Sequence, residues 1–147
     1  MKENHELLMK RAIALAYEGK AGNGGAFGAV ITKDGSIIAE VHNTVKQHQD
    51  CTQHAELAAI QKSCMILKSK DLSACILYTS CEPCMMCLGA SYWAGFKTIY
   101  FGASAEDAKN YGYIYSDMFY GSDTNKRYKE FNMVQLLRDE AVAVWES

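Results

Sequence analysis

The chain has 147 residues, enough for one ordinary domain with its own hydrophobic core. Apolar residues make up 49% and charged residues 22%, with a formal net charge of −2, which is typical of a soluble globular protein and excludes a largely disordered chain. No stretch of the sequence predicts a membrane-spanning helix, and residues 1–5 show no secretory signal, so the expected location is the cytoplasm.

The first half of the chain predicts a helix followed by a β-hairpin. Residues 6–18 place Leu8, Ala12 and Leu15 on one face of an amphipathic helix, which the glycine-rich run 19–25 ends. Residues 27–32 have the composition of a buried strand, and residues 33–36 that of a turn. Residues 37–42 are expected to form the antiparallel return strand.

The second half predicts strands that alternate with helices. A helix is expected from about residue 55, a strand over 75–79, a helix from Pro83 to about Ala94 that Gly95 ends, and a strand over 98–101. This alternation predicts an α/β sandwich in which part of the sheet is parallel. Beyond residue 102 the pattern is weaker, and it predicts a short helix near 105–110, an aromatic loop and a helix around 139–145.

The six cysteines are expected to be reduced. The chain is too long and too rich in core residues to need a disulfide framework, and nothing in it indicates export. Because cysteine is among the most buried residue types, burial is the default for each of them. We expect it for four: Cys51, Cys64, Cys75 and Cys81.

Two short motifs carry residues suited to metal chemistry. They are the triplet His54-Ala55-Glu56 and the run Pro-Cys-Met-Met-Cys at 83–87, and each opens a predicted helix. Cys84 and Cys87 are three residues apart, so on a helix they share a face and can bind one ion. The positive end of the helix favours the thiolate form, which is the form that binds metal.

His54 and Glu56 complete this constellation if His54 occupies the helix cap. Residues two apart point to opposite sides of a regular helix, so a non-helical cap is needed for both to face one ion. One imidazole and two thiolates leave a fourth position of Zn²⁺ open, as in catalytic sites. A bound zinc lowers the pKa of water to about 7, and the Glu56 carboxylate can pass the proton on. The combination H-x-E and P-C-x-x-C is the signature of zinc deaminases that act on nucleobases.

Each motif alone has a simpler explanation. A lone C-x-x-C also occurs as a thioredoxin-like redox pair, and a lone His-Ala-Glu carries little information. The redox alternative leaves His54 and Glu56 without a role, whereas a zinc site uses both motifs, 30 residues apart. A non-catalytic zinc scaffold also stays open, and in that case Glu56 would be an ordinary exposed helix residue. Cys51 and Cys81 lie close in sequence to the ligands and could support them from behind.

Longer runs around these motifs resemble the cytidine-deaminase-like superfamily, and specifically its guanine deaminases. They are LYTSCEPCMMCLGA at 77–90, YWA at 92–94 and GGAFGAVI at 24–31, and the resemblance covers about residues 5–105. It implies a single domain over residues 1–147, folded as a three-layer α/β/α sandwich with a mixed, roughly five-stranded central sheet. It also implies one Zn²⁺ per subunit, a homodimer, and hydrolysis of guanine to xanthine and ammonia.

The resemblance further implies substrate-binding residues. Phe27 would stack on the purine and Asn43 would hydrogen-bond its edge. The backbone around Ala55 and Cys84 would line the pocket, together with Trp93. Ordinary alternatives are a core position for either aromatic residue and a turn for Asn43. The C-terminal segment, about residues 105–147, would be exchanged between subunits and would supply an acidic residue, for which Asp117 is the best match.

Several positions depart from the family pattern on the substrate side. Tyr113, Ile114 and Tyr115 stand where an aspartate pair is expected after Gly112. A guanosine, pterin, cytosine or triazine substrate therefore stays open beside guanine. A tRNA adenosine deaminase is the nearest rival, but 15 basic against 17 acidic residues and a C-terminus without a basic arm favour a small nucleobase over a nucleic acid.

Overall fold

The computed structural model describes residues 4–121 and 123–147. Residues 1–3, which bear on the expected lack of a secretory signal, lie outside the described residues. The helices are α1 (His5–Ala21), α2 (Val45–His48), α3 (Ala55–Leu67), α4 (Met85–Ala94), α5 (Ala105–Asn110), α6 (Asp117–Tyr120), α7 (Thr124–Glu130) and α8 (Arg138–Glu146). The strands are β1 (Gly28–Lys33), β2 (Ser36–His42), β3 (Cys75–Cys81), β4 (Thr98–Ala103) and β5 (Met133–Gln135). Within the described ranges, no helix combines the length and hydrophobicity that crossing a bilayer requires.

The strands form one mixed sheet in the order β2-β1-β3-β4-β5. β1 runs antiparallel to β2 and to β3, as the predicted hairpin requires. β4 runs parallel to β3 and to β5, because α4 connects β3 to β4 as a crossover. Every residue of β3 is buried, as expected for a strand covered on both faces. The mixed five-stranded sheet is thus confirmed.

Helices cover both faces of the sheet. On one face, α1 and α8 contribute Met9 and Val144 to a core with Tyr78. On the other face, Ala59 of α3 and Leu88 of α4 pack with residues of β1 and β4. α1 crosses β1 closely at Gly28, which has no Cβ. A Cβ at this position would lie only 2.2 Å from the Ala12 carbonyl oxygen. The three-layer α/β/α sandwich is confirmed.

The C-terminal third contains more regular structure than the sequence pattern predicts. α5 and α8 lie where short helices were expected. The expected aromatic loop instead contains α6 and α7, and the three-residue strand β5 follows it. β5 is too short to show a periodic pattern, and it is defined by its pairing with β4, as in Tyr100 with Val134.

The end of the chain packs on its own sheet in this structure. Trp145 Nε1 donates to the Ala26 carbonyl at 3.1 Å. Lys20 Nζ donates to the Val144 carbonyl at 2.8 Å. These contacts attach α8 to α1 and to the loop before β1. The exchange of residues 105–147 between subunits stays a prediction.

Candidate active site

Three metal-binding side chains meet where α3 and α4 begin. His54 is the N-cap of α3, with extended backbone (φ −71°, ψ 152°), as its predicted role at the cap requires. Cys84 is the N-cap of α4, also extended (φ −65°, ψ 170°), and Cys87 lies in the first turn of that helix. The ligand atoms of His54, Cys84 and Cys87 all lie within 4.8 Å of one another. The two motifs therefore converge on one point.

The spacing of these atoms fits a tetrahedral zinc ion. His54 Nδ1 lies 3.5 Å from Cys84 Sγ and 3.6 Å from Cys87 Sγ. A tetrahedral zinc with sulfur at about 2.3 Å and nitrogen at about 2.0 Å separates such atoms by about 3.5 Å. Among the described residues, the group has three members, so the fourth tetrahedral position is left for water or substrate. This is the arrangement of a catalytic zinc site.

The protein favours a thiolate at this point. The pKa of Cys84 is lowered to about 4, first by a hydrogen bond from the Cys87 thiol and also by one from His54. The pKa of His54 is raised, chiefly by its hydrogen bond with Cys84. Negative charge on Cys84 therefore attracts a cation to the site, and a bound cation deprotonates its coordinating thiols.

Glu56 lies beside the ligands as a buried carboxyl group. It occupies the first turn of α3 and is 6% exposed. Burial, followed by the negative charge of Cys84, raises the pKa of Glu56 to about 7. A group with such a pKa can both accept and donate a proton near neutral pH. Glu56 is thus not the exposed helix residue of a non-catalytic scaffold.

A cavity of 340 Å³ opens over this group. Its lining joins the chemistry-bearing residues to an aromatic and apolar wall: Phe27, Asn43, His54, Glu56, Cys84, Gly112, Tyr113, Ile114 and Tyr115. Small-molecule sites of this kind are concave and mostly apolar, with a few polar groups that fix orientation. The cavity therefore has the size and lining of a site for a small flat molecule.

Phe27 and Asn43 both lie at the cavity, as predicted. The Phe27 ring packs edge-on against Tyr113 at 4.8 Å and lies 5.8 Å from the Trp145 ring. Asn43 Oδ1 accepts a hydrogen bond from Val45 N at 3.1 Å, which fixes its side chain after β2. Their predicted contacts with a substrate stay proposals.

Three other predicted residues are not among those that line this cavity within one chain. Asp117 begins α6 with a side chain that is 88% exposed and paired with Lys109, so within one chain it does not line the cavity. Its expected role depends on exchange of the C-terminal segment between subunits and stays a prediction. Trp93 is 82% exposed and lies in a separate depression beside Ile60, because it points outward from α4. The Ala55 side chain is fully buried in the core, and the expected contact of its backbone with a substrate stays a proposal.

The residues that sequence reasoning missed are those of the segment 112–115. Tyr113, Ile114 and Tyr115 line the same cavity as His54, Glu56 and Cys84. One indication of them was present in the sequence, because residues 113–115 depart from the family pattern after Gly112. That departure indicated a difference on the substrate side, but it did not show that these side chains line the cavity. Among the described residues that line the cavity, Glu56 carries the one carboxylate.

The remaining cysteines are not part of the metal group. Cys75 and Cys81 are buried at 1% exposure, as expected for structural thiols. Cys64 is partly buried, whereas Cys51 is exposed, so the expected burial of Cys51 is wrong. The Cys81 Sγ lies 3.1 Å from the hydroxyl of Tyr115, a residue that lines the cavity.

The fold is a mixed α/β/α sandwich, and two helix starts bring three zinc ligands together. A buried carboxyl group lies in the same cavity. These features together define a class of zinc-dependent deaminases. The chain belongs to the cytidine and deoxycytidylate deaminase zinc-binding region family, whose model matches residues 2–103.

Similar proteins narrow the comparison within that family. A guanine deaminase of Bacillus subtilis is 52% identical over 128 residues, which cover 86% of this chain and 81% of that protein. An X-ray structure of a Bacillus subtilis guanine deaminase matches with a TM-score of 0.75 and 54% identity, covering 79% of this chain and 74% of that chain. A solved structure in complex with 2,6-diaminopurine matches with a TM-score of 0.83 and 28% identity, covering 99% of this chain and 82% of that chain.

A tRNA-specific adenosine deaminase of Aquifex aeolicus is similar over a shorter region. It is 41% identical over 87 residues, which cover 59% of this chain and 56% of that protein. The similarity to the guanine deaminase is both higher and longer. This chain is therefore a zinc-dependent hydrolase of the deaminase family.

Proposed function

We propose that this protein hydrolyses guanine to xanthine and ammonia. The observation that carries the proposal is the placement of the buried Glu56 carboxyl in one small cavity with the zinc-binding group and an aromatic wall. The 52% identity to the guanine deaminase of Bacillus subtilis supports guanine as the substrate. The match to a structure that holds 2,6-diaminopurine supports a flat purine of that size.

The proposed chemistry is the replacement of the 2-amino group of guanine by the oxygen of water. His54, Cys84 and Cys87 would hold a zinc ion, which would lower the pKa of bound water to about 7. Glu56 accepts a proton as the new C–O bond forms at the purine C2. It then donates a proton to the amine, so that the C–N bond breaks and ammonia leaves. A pKa of about 7 suits both halves of this transfer.

Phe27 and Asn43 are the proposed positioning groups for the base. The Phe27 ring is held by Tyr113 and Trp145, so it offers a fixed aromatic surface at the cavity. Asn43 is 8% exposed and held by Val45, so its amide can recognise a substrate edge without first being ordered.

Ammonia release from the purified zinc form tests the substrate. We expect the highest kcat/KM for guanine within a panel that also contains guanosine, adenosine, cytosine, cytidine and pterin. Activity on cytidine alone would overturn guanine and leave the chemistry intact. A salt-sensitive complex with tRNA, together with release of ammonia from its adenosine, would favour the polynucleotide substrate instead.

Glu56→Ala tests the mechanism separately. The variant is expected to keep its zinc, because Glu56 is not among the three ligand residues. Deamination should fall by at least about a hundredfold, the scale of losing a general acid–base group. Zinc content by elemental analysis is the control, and unchanged turnover in the zinc-loaded variant would eliminate Glu56 as the proton carrier.

We also propose a homodimer in the cytoplasm. Large apolar side chains are exposed on α3 and α4: Met65, Ile66, Met85, Tyr92 and Trp93. An exposed apolar surface of this kind is typical of an interface, and a second copy of the chain is the proposed partner. All six cysteines are free, which suits a reducing compartment.

A further inference from the structure

Glu82 is a buried charged residue two positions before the zinc ligand Cys84. It is 1% exposed, yet it does not line the catalytic cavity. We infer that Glu82 is a positioning residue: it fixes the backbone that leads into Cys84, and Arg127 and Tyr128 hold its carboxylate in place. This gives a role to the aromatic stretch between α5 and β5.

Both carboxylate oxygens of Glu82 are fully used. Oε1 accepts from the Ala105 backbone N at 3.0 Å and from the Tyr128 hydroxyl at 2.7 Å. Oε2 accepts from Arg127 Nε at 3.2 Å and Nη2 at 3.0 Å. Four donors from two elements of the fold, α5 and α7, therefore determine where this side chain lies. A forked contact of this type fixes orientation as well as distance.

The backbone of residues 82 and 83 is held equally firmly. The Glu82 amide donates to the Ala103 carbonyl at 2.7 Å. The Glu82 carbonyl accepts from the Tyr115 hydroxyl at 2.5 Å, and the Pro83 carbonyl accepts from the Tyr120 hydroxyl at 2.6 Å. Because proline has no N–H, every polar backbone atom of these two residues is bonded. The loop that delivers Cys84 to the cap of α4 has little freedom to shift.

Arg127 joins the carboxylate to the aromatic residues. Its guanidinium carbon lies 4.8 Å from the Tyr120 ring centroid and 5.3 Å from that of Tyr128. Its side chain is 7% exposed, and that of Glu82 is 1% exposed. A buried ion pair often contributes little net stability, because desolvation offsets the attraction. In this protein the Glu82–Arg127 ion pair fixes geometry, because it holds α7 against the loop before Cys84.

The geometry that this network protects is the short separation of the ligand atoms. His54 comes from α3, whereas Cys84 and Cys87 come from α4, so their approach depends on where each helix begins. Groups behind metal ligands orient them, and losing one typically lowers metal affinity by about 10- to 100-fold. Disturbing Glu82 should therefore weaken zinc binding before any substrate is present.

The experiment measures zinc affinity by competition with a chromophoric chelator, using the full-length protein. Glu82→Gln is expected to bind zinc about tenfold more weakly than the wild type. Tyr128→Phe and Tyr120→Phe, which each remove one hydroxyl, should weaken zinc by a smaller factor in the same direction. In the Co²⁺-substituted protein, the visible bands of Glu82→Gln should shift, because these bands report the angles between the ligands.

Asp107→Asn is the matched control, since Asp107 is a buried acid in a different ion pair. The Asp107 carboxylate accepts hydrogen bonds from Arg138 of α8 and from the Ser104 amide at the cap of α5, and it makes none to residues 82–84. This variant should lose thermal stability and keep wild-type zinc affinity and Co²⁺ bands. Wild-type zinc affinity in Glu82→Gln, or an equal loss in Asp107→Asn, would overturn the inference. If Glu82→Gln does not fold, Tyr128→Phe decides, and wild-type affinity and bands in that variant overturn it.

Discussion

Ile114 is the residue whose position says most about the substrate wall. It is 95% exposed and yet lines the catalytic cavity, so it stands at the cavity mouth and packs little against the core. We expect Ile114→Ala to change the free energy of unfolding by less than about 0.5 kcal/mol. The KM of the substrate should rise severalfold with kcat nearly unchanged, because apolar contact made equally in ground and transition states is lost.

Met118→Ala is the control for that substitution. Met118 is 89% exposed in the same part of the chain, but it does not line the cavity. Steady-state kinetics of this variant should match those of the wild type. A KM for Ile114→Ala that also equals the wild-type value would remove Ile114 from the binding surface.

At the residue scale, the sequence predicts the zinc ligands better than the substrate wall. His54, Cys84 and Cys87 follow from short spacings, because two helix starts suffice to orient them. The positions of Asp117 and Trp93 depend on which way each side chain points after the fold closes, and within one chain neither residue lines the cavity. The wall residues Tyr113 and Tyr115 carry no metal-binding or acid–base signal, so only the fold reveals their place.

At the scale of elements, the close crossing of α1 over β1 makes a sharp prediction. A Cβ at Gly28 would lie 2.2 Å from the Ala12 carbonyl oxygen and 2.7 Å from the Ala16 amide nitrogen. Gly28→Ala should therefore push α1 from the sheet and lower the free energy of unfolding by about 1–3 kcal/mol, the scale of overpacking. Urea unfolding of the zinc-loaded protein measures this difference.

Gly89 provides the opposite case within α4. A Cβ there would meet nothing within 4 Å, and the residue lies inside the helix. Gly89→Ala should raise the free energy of unfolding by about 0.5–1 kcal/mol, since alanine loses less backbone entropy in a helix. Equal changes of the same sign at both glycines would contradict the close packing of α1 on β1.

Elements with strong local patterns were predictable, and those defined by distant partners were not. α1, the β1–β2 hairpin, α3, β3, α4 and β4 follow from periodicity, glycines and turn residues. β5 exists because Met133 and its neighbours pair with β4, and α6 and α7 are only 4 and 7 residues long. α7 is also where Arg127 packs against Glu82, a contact across 45 residues that no local pattern encodes.

On the scale of the whole molecule, the uncovered face of α3 and α4 remains to be explained. Trp93 is 82% exposed and Met65 is 78% exposed, while the opposite sides of both helices pack on the sheet. Tyr92 lies edge-on to Trp93 at 5.7 Å and to Phe131 at 5.8 Å, so aromatic rings cluster on this surface. Aromatic side chains at the centre of an interface commonly carry much of its binding energy.

Trp93→Glu is therefore expected to convert the proposed homodimer into a monomer, because a charge at the centre of an apolar interface cannot be solvated. Sedimentation velocity at several protein concentrations measures the change. Met118→Glu, which places the same charge on exposed α6, should leave the dimer intact. The zinc content of Trp93→Glu should stay at that of the wild type, since its ligands come from one chain. A wild-type protein that sediments as a monomer at every concentration would contradict the proposed dimer, while a dimer that Trp93→Glu leaves intact would place its interface elsewhere.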